Sequence, residues 1–347
     1  RLSGPNPQMS ATTAPKNMKT LIFCALPASG KSESRKYLRS LTKEQNEEFH
    51  MGDSSTQVDD YPYVHMMRQI DDALEKHKFE RVFFQSASQG FKDAYDWGVL
   101  IQLVNEDFAD LLSKPTMPEE ASATMWLLRR YDAAAEKVGM DRRITSRSAE
   151  ELRALETELE EEVRALMVEK YEAIPESLED KTVVIEFARG GPDGHAMPLP
   201  APFGYEYSLS QLSPEILNSA ALLYIWVTPQ QSYDKNIARS TEKSNTESVT
   251  LSLNHGVPHD VMKGDYGCDD FEHLLKTSGT PNCLKLTKAD GTEFLVPAAM
   301  FDNRNDLTTP FRQPEEEWAA EDVEKMSAAM KEAFGRLVLA YNERHSE

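Results

Sequence analysis

Lys19-Thr-Leu-Ile-Phe-Cys-Ala25-Leu-Pro-Ala-Ser-Gly30-Lys31-Ser32 is the stretch that decides how this chain is read. Its first half is an apolar run with the character of a buried strand, and helical sequence follows Ser32, so the whole predicts a strand–loop–helix unit. A loop closing on Gly-Lys-Ser at that junction suits a nucleoside triphosphate. Backbone N–H groups of Ala28, Ser29, Gly30, Lys31 and Ser32 can wrap a β-phosphate at the positive end of the following helix. Lys31 would reach the β- and γ-phosphates, and the Ser32 hydroxyl would bind Mg²⁺. The G-x-x-x-x-G-K-[ST] pattern is met except at its first position, where Ala25 stands in place of glycine.

Outward from that unit, apolar runs alternate with helical periodicity. Phe49-His-Met-Gly-Asp53 reads as a short strand and Arg81-Val-Phe-Phe-Gln85 as a buried one. Lys181 to Glu186 and Ala220 to Thr228 are continuous apolar runs, the pattern of a parallel sheet covered on both faces. Tyr61 to Lys76 carries Val64, Met67, Ile70 and Leu74 at helical steps, and Tyr95 to Leu112 predicts another helix. Asp290-Gly291 marks the turn of a hairpin between Leu284 to Lys288 and Thr292 to Pro297. An amphipathic helix from Glu315 to Tyr341 closes the chain.

This order predicts an α/β fold, a doubly wound parallel sheet with core segments 18–116 and 175–347 and a long helical insertion at 117–174. Ser148-Ala-Glu-Glu151 is a capping box that starts a helix within the insertion. Leu152, Leu155, Leu159, Val163, Leu166 and Tyr171 then recur mostly at three- and four-residue steps, the mark of a solvated helix with one packed stripe. A sharper reading makes the insertion a hairpin that covers the substrate or pairs two copies into a homodimer. Residues 1–17 read as a tail or cloning remnant outside the fold, and Thr241 to Asn254 as a mobile loop.

Charge narrows the classes of partner. The 347 residues carry a formal net charge of −20, which repels nucleic acid and anionic membranes, and no basic patch with interleaved aromatics relieves it. Neither a membrane-spanning stretch nor a signal-peptide core is present. Cys24, Cys268 and Cys283 lack metal-ligand spacing and suit a reducing cytoplasm. His255 and His259 flank Gly256 and Pro258, a poor start for a zinc site.

Ligands of doubly wound sheets collect at the C-terminal ends of the strands, so the residues ending each run are the candidates. They are Lys31 and Ser32 in the loop, Asp53 with Ser54 and Ser55, Gln85 with Ser86 and Ser88, and Glu186 with Arg189. A carboxylate beside the loop can hold Mg²⁺ or take the proton of a phosphoryl acceptor, which makes Asp53 and Glu186 candidate catalytic and metal residues. Lys235 and Arg239 share a helix face and could fold over the phosphates from a segment spanning about 229–256.

Together these residues resemble the P-loop kinases that act on nucleosides, nucleotides and small metabolites. Leu26-Pro-Ala-Ser-Gly-Lys-Ser32 is similar to the loop many of them carry. Ile225 to Val227, then Pro229 and the Lys235/Arg239 segment, look like their strand leading into a lid helix. Val296 to Leu307, with Phe301, Asp302, Asn303 and Asp306, looks like their late strand and following loop. The resemblance spans about 18–61 and 181–307. It implies ATP and Mg²⁺ as donor pair and a small hydroxyl- or phosphate-bearing acceptor. It further implies Lys31 on the phosphates, Asp53 near the acceptor, Arg239 acting from the lid, and Asn303 in the loop that runs past the adenine ring. A nucleotide-binding switch without turnover and a partner-coupled NTPase remain alternatives.

Overall fold

The computed structural model describes residues 17–242 and 256–345. The expected N-terminal tail, apart from Asn17, and nearly all of the expected mobile loop, with Lys243 and His255, lie outside the described residues. The strands are β1 (Thr20–Ala25), β2 (Ser54–Asp59), β3 (Lys181–Ala188), β4 (Ala220–Trp226), β5 (Cys283–Thr287) and β6 (Glu293–Asp302). Helices α1 (Lys31–Ser40), α2 (Lys43–Glu48) and α3 (Tyr61–Lys76) lie in the first third of the chain, and α4 (Asp96–Ser113), α5 (Ala123–Lys137) and α6 (Ala149–Glu172) follow before β3. Next come α7 (Gly204–Ser210), α8 (Pro214–Ser219), α9 (Pro229–Glu242), α10 (His259–Asp265), α11 (Phe271–Thr277) and α12 (Ala320–Arg344).

The strands form one six-stranded sheet in the order β2-β3-β1-β4-β6-β5, parallel throughout except for β5 against β6. The α/β class expected from the sequence is therefore present. Successive side chains of β1 serve opposite faces, as the period of two requires. Ile22 and Cys24 pack with α4, α7, α8 and α11, while Leu21 and Phe23 pack with α1 and α12. Burying both faces explains why β1 and β4 are apolar at nearly every position. β6 has two partners along its length. Its N-terminal half completes the Asp290-Gly291 hairpin with β5, and its C-terminal half runs beside β4.

Two strand expectations are corrected. Phe49 to Asp53 is not a strand; β2 begins at Ser54 and runs Ser-Ser-Thr-Gln-Val-Asp along the sheet edge. An edge strand needs little apolar sequence, so the polar residues hid it. Arg81 to Gln85 is buried through Phe84 but joins no strand of the sheet. The Asp71 carboxylate of α3 accepts the backbone N–H groups of Val82, Phe83 and Phe84 at 2.6–3.1 Å, which satisfies the donors a ladder would have used.

The 117–174 segment packs onto the domain. Its helices α5 and α6 join α3 and α4 in a separate apolar cluster, and Leu155, Leu159 and Val163 are buried within it. Leu152, Leu166 and Tyr171 are half-buried at its margin. The Ser148 capping box forms as expected. Inside this layer Arg130 meets the Tyr63 hydroxyl at 2.9 Å and Asp107 at 2.8 Å, while Lys170 meets Asp107 at 2.9 Å. Buried charges held by several partners fix one mutual arrangement of the helices.

Candidate functional site

β1 is the point at which the chain changes sides. β2 and β3 lie on one side of it and β4 and β6 on the other, so the connections after β1 and β3 diverge and leave a crevice beyond their C-terminal ends. Loop 26–30 occupies that crevice. Ala28 and Gly30 adopt left-handed backbone conformations, φ 55° and 101°. Alternation of that kind turns successive N–H groups to one side, the geometry of an anion nest. The N–H groups of Ala28 to Ser32 donate to no described residue. Gly30 caps α1 without a side-chain hydrogen bond. A Cβ at Gly30 would sit 2.3 Å from Thr308 Oγ1, so both φ and space demand glycine.

The loop is braced from three sides. Ser29 Oγ donates to the Leu26 carbonyl at 2.7 Å, and Ser232 Oγ of α9 donates to the Pro27 carbonyl at 2.7 Å. Asn303 is fully buried beneath the loop, its amide donating to the Ser29 carbonyl at 2.7 Å and to Thr308 Oγ1 at 2.8 Å. Both amide protons are thus spent on the protein, and Asn303 supports the loop.

Ala25 is the last residue of β1 and is absent from the positive-φ positions. The methyl group therefore carries no conformational cost. The Tyr205 hydroxyl lies across it, accepting from its N–H at 2.7 Å and donating to its carbonyl at 2.8 Å. A tyrosine 180 residues away in sequence closes the turn where the pattern expects glycine.

Lys31 and Ser32 line a cavity of about 470 Å³ that continues past the loop. Neither side chain has a hydrogen bond or ion pair with a described residue. Burial pulls the Lys31 ammonium below its ordinary pKa, against the opposing pull of the nearby Glu186 and Asp60. A half-buried lysine without a partner at a cavity wall is a group that an anionic ligand would pair.

The carboxylates come from β2 and β3. In register Asp59 stands beside Glu186, at the same sheet end as the loop. Glu186 Oε2 pairs with Arg35 of α1 at 2.7 Å, leaving Oε1 without a partner among the described residues. Asp59 accepts from the Tyr61 N–H at 3.0 Å and from Gln57 at 2.7 Å. Burial, then the Glu186 and Asp60 charges, push its carboxyl up to about 7. Asp60 pairs at 2.7 Å with Arg189, which is 2% exposed and lies between the Trp97 and Phe187 rings.

Asp53 falls elsewhere. It precedes β2 beside the start of β3, about 20 Å from the loop by the rise of a strand. It is exposed and pairs with Lys43 at 2.7 Å. Asp59, which ends β2, and Asp60 after it stand at the loop end of the sheet instead. The signal for them was Asp59-Asp60 before the Tyr61 helix start, obscured because the edge strand lacks an apolar run.

The expected helix carrying Lys235 and Arg239 is α9. Lys235 pairs with Asp306 at 2.7 Å. Arg239 reaches Glu33, the residue after Ser32, at 2.7 Å, and Arg312 meets the same oxygen at 3.0 Å. Arg239 also lowers the Lys31 pKa, so its charge is felt at that ammonium. Burial opposes ionisation of Glu33, yet the two guanidinium groups hold its carboxyl below the ordinary value. Gln85, Ser86 and Ser88 belong to the loop whose Phe84, Ala87, Gly90 and Phe91 wall the cavity.

Among the described residues no three His, Cys, Asp or Glu side chains converge as a metal cage, and no helix is long and apolar enough to cross a membrane. Comparison with family models, with curated proteins and with solved structures finds no match for the chain.

Proposed function

We propose that this protein transfers the γ-phosphoryl group of ATP to a small acceptor held in the cavity beside the loop. One observation carries the reading. The unpaired Lys31 ammonium and the unpaired Ser32 hydroxyl line a cavity far larger than a water molecule, and the loop leading to them carries N–H groups that donate to no described residue. The strand order, with this loop at the central switch point, supports a P-loop kinase type of fold.

The residues divide the work. The nest and Lys31 bind and orient the phosphates, and Gly30 lets the backbone approach them. The Ser32 hydroxyl and Glu186 Oε1, which line the same cavity, would hold Mg²⁺ through the oxygen donors it takes. Bound there with the phosphates, the ion would supply charge neutralisation as the γ-phosphoryl group leaves. Arg35 orients Glu186. Asp59, with its carboxyl near neutrality, accepts the acceptor's hydroxyl proton as the new P–O bond forms. Arg239 adds positive charge where the transferred group carries its negative charge.

Lys31→Ala tests the reading directly. Calorimetric ATP affinity should fall by about a hundredfold or more, the scale expected for losing a buried charge-assisted contact. Phosphoryl transfer should fall with it. Unchanged ATP affinity in that variant would reject the site.

A further inference from the structure

Asp265, the last residue of α10, lines the same cavity as Lys31 but has different neighbours. Its carboxylate is half-buried and makes no hydrogen bond or ion pair with any described residue. Burial raises its pKa to about 6 against the opposing pull of Arg68. A negative charge at a helix C-terminus also opposes the backbone dipoles. The cavity wall therefore carries a carboxylate that no described residue pairs. Gly90 keeps that acceptor open, because a Cβ there would sit 2.7 Å from Asp265 Oδ2.

The wall around it is aromatic. Phe84 and Phe91 stack with centroids 4.6 Å apart, Trp97 meets Phe91 edge-on at 4.9 Å, and Tyr266 meets Trp97 at 5.7 Å. The cations on the wall are already committed. Arg189 is paired with Asp60 and Arg35 with Glu186, while Arg68 lies over Phe84 and donates to the Ala87 carbonyl at 3.0 Å. Lys31 is the lysine of the phosphate loop. Among the described residues of this wall a second anion thus finds no unspent cation, whereas a hydrogen-bond donor finds the unpaired Asp265 carboxylate.

We propose that Asp265 and the Phe84–Phe91–Trp97 box select the acceptor as a hydroxyl compound with a planar or apolar body, an amine-type N–H donor and no anionic group. This rests on the phosphoryl-transfer reading of the same cavity. The rings give the cavity an apolar wall against which the body packs, and the carboxylate takes the N–H hydrogen bonds.

Direct binding separates this assignment from catalysis. The nucleotide-free protein is titrated calorimetrically with cytidine and phenylalaninol, and with the matched compounds uridine, 3-phenyl-1-propanol and cytidine 5′-monophosphate. The amine-bearing alcohols should bind about tenfold to a hundredfold more tightly than their partners, the range of a hydrogen bond to a charged group. Asp265→Asn should erase that preference and melt no lower than the parent, since it removes an unpaired carboxylate. Gly90→Ala, which crowds the carboxylate, should weaken the same probes. Equal affinities, a monophosphate bound as tightly as its nucleoside, or a preference that survives in Asp265→Asn would overturn the proposal. ATP affinity of the same preparations is measured separately. Its absence alongside a retained amine preference rejects phosphoryl transfer and leaves the Asp265 assignment standing; normal ATP binding without the preference rejects only Asp265.

Discussion

The Tyr205 hydroxyl lies 2.7 Å from the N–H and 2.8 Å from the carbonyl oxygen of Ala25, so one side chain satisfies both backbone groups where β1 enters the loop before α1. The Arg189 N–H donates to the same hydroxyl at 3.3 Å. All three partners are buried, and water cannot replace the phenol. Tyr205→Phe should therefore cost about 1–3 kcal/mol, the penalty for leaving buried backbone groups unpaired. Urea titration measures that loss, and ATP affinity should fall in parallel because the loop entry loosens. A variant as stable as the parent would show that the loop holds its shape without this hydroxyl.

If the cavity supports phosphoryl transfer, Asp59 should set the acid limb of that activity. Its carboxyl, pushed up to about 7, accepts a proton only once the pH passes that value, so kcat/KM for ATP should rise through neutrality. Asp59→Asn should flatten the limb and lower kcat by about 10²–10⁴, the usual share of a general base. The stability sign is opposite. A folded-state pKa above the unfolded one stabilises below the ordinary carboxylate range, and that contribution is lost as pH rises through about 7. Asp59→Asn should thus be the more stable protein at pH 8. Asp53→Asn, which breaks only an exposed pair with Lys43, should change neither profile.

Glu33 joins α9 to the start of α1 through Arg239 and to the segment before α12 through Arg312. Glu33→Gln leaves two guanidinium groups facing a neutral amide and should cost about 3 kcal/mol at neutral pH, the scale of breaking a buried pair. The Glu33 carboxyl lies below its ordinary pKa. Its contribution is present above the unfolded value and is lost as pH falls through the folded one. The gap in unfolding midpoint between parent and variant should therefore close in the acid range. A gap independent of pH would assign the cost to packing.

Much of the fold was legible because burial on both sheet faces demands apolar runs. β1, β3 and β4 are such runs, and the Asp290-Gly291 turn and the Ser148 capping box carry their own local chemistry. β2 escaped because an edge strand can be polar. Arg81 to Phe84 misled for the converse reason: the segment is buried like a strand, but a helix carboxylate satisfies its N–H groups. That partner lies outside any local pattern.

The sequence alone determined the strand–loop–helix unit around Gly30-Lys31-Ser32, since an apolar run followed by these residues constrains backbone and charge within a dozen residues. It likewise determined that strands and helices alternate around it. Only tertiary structure decided which acids share the site, because strand order and register brought Asp59, and not Asp53, beside Glu186. Tertiary structure also made Ala25 acceptable, through a hydroxyl distant in sequence, and opened a cavity whose unpaired acid is Asp265. Local pattern records what each residue needs from its neighbours in the chain. Which distant groups meet that need depends on how the whole sheet is wound.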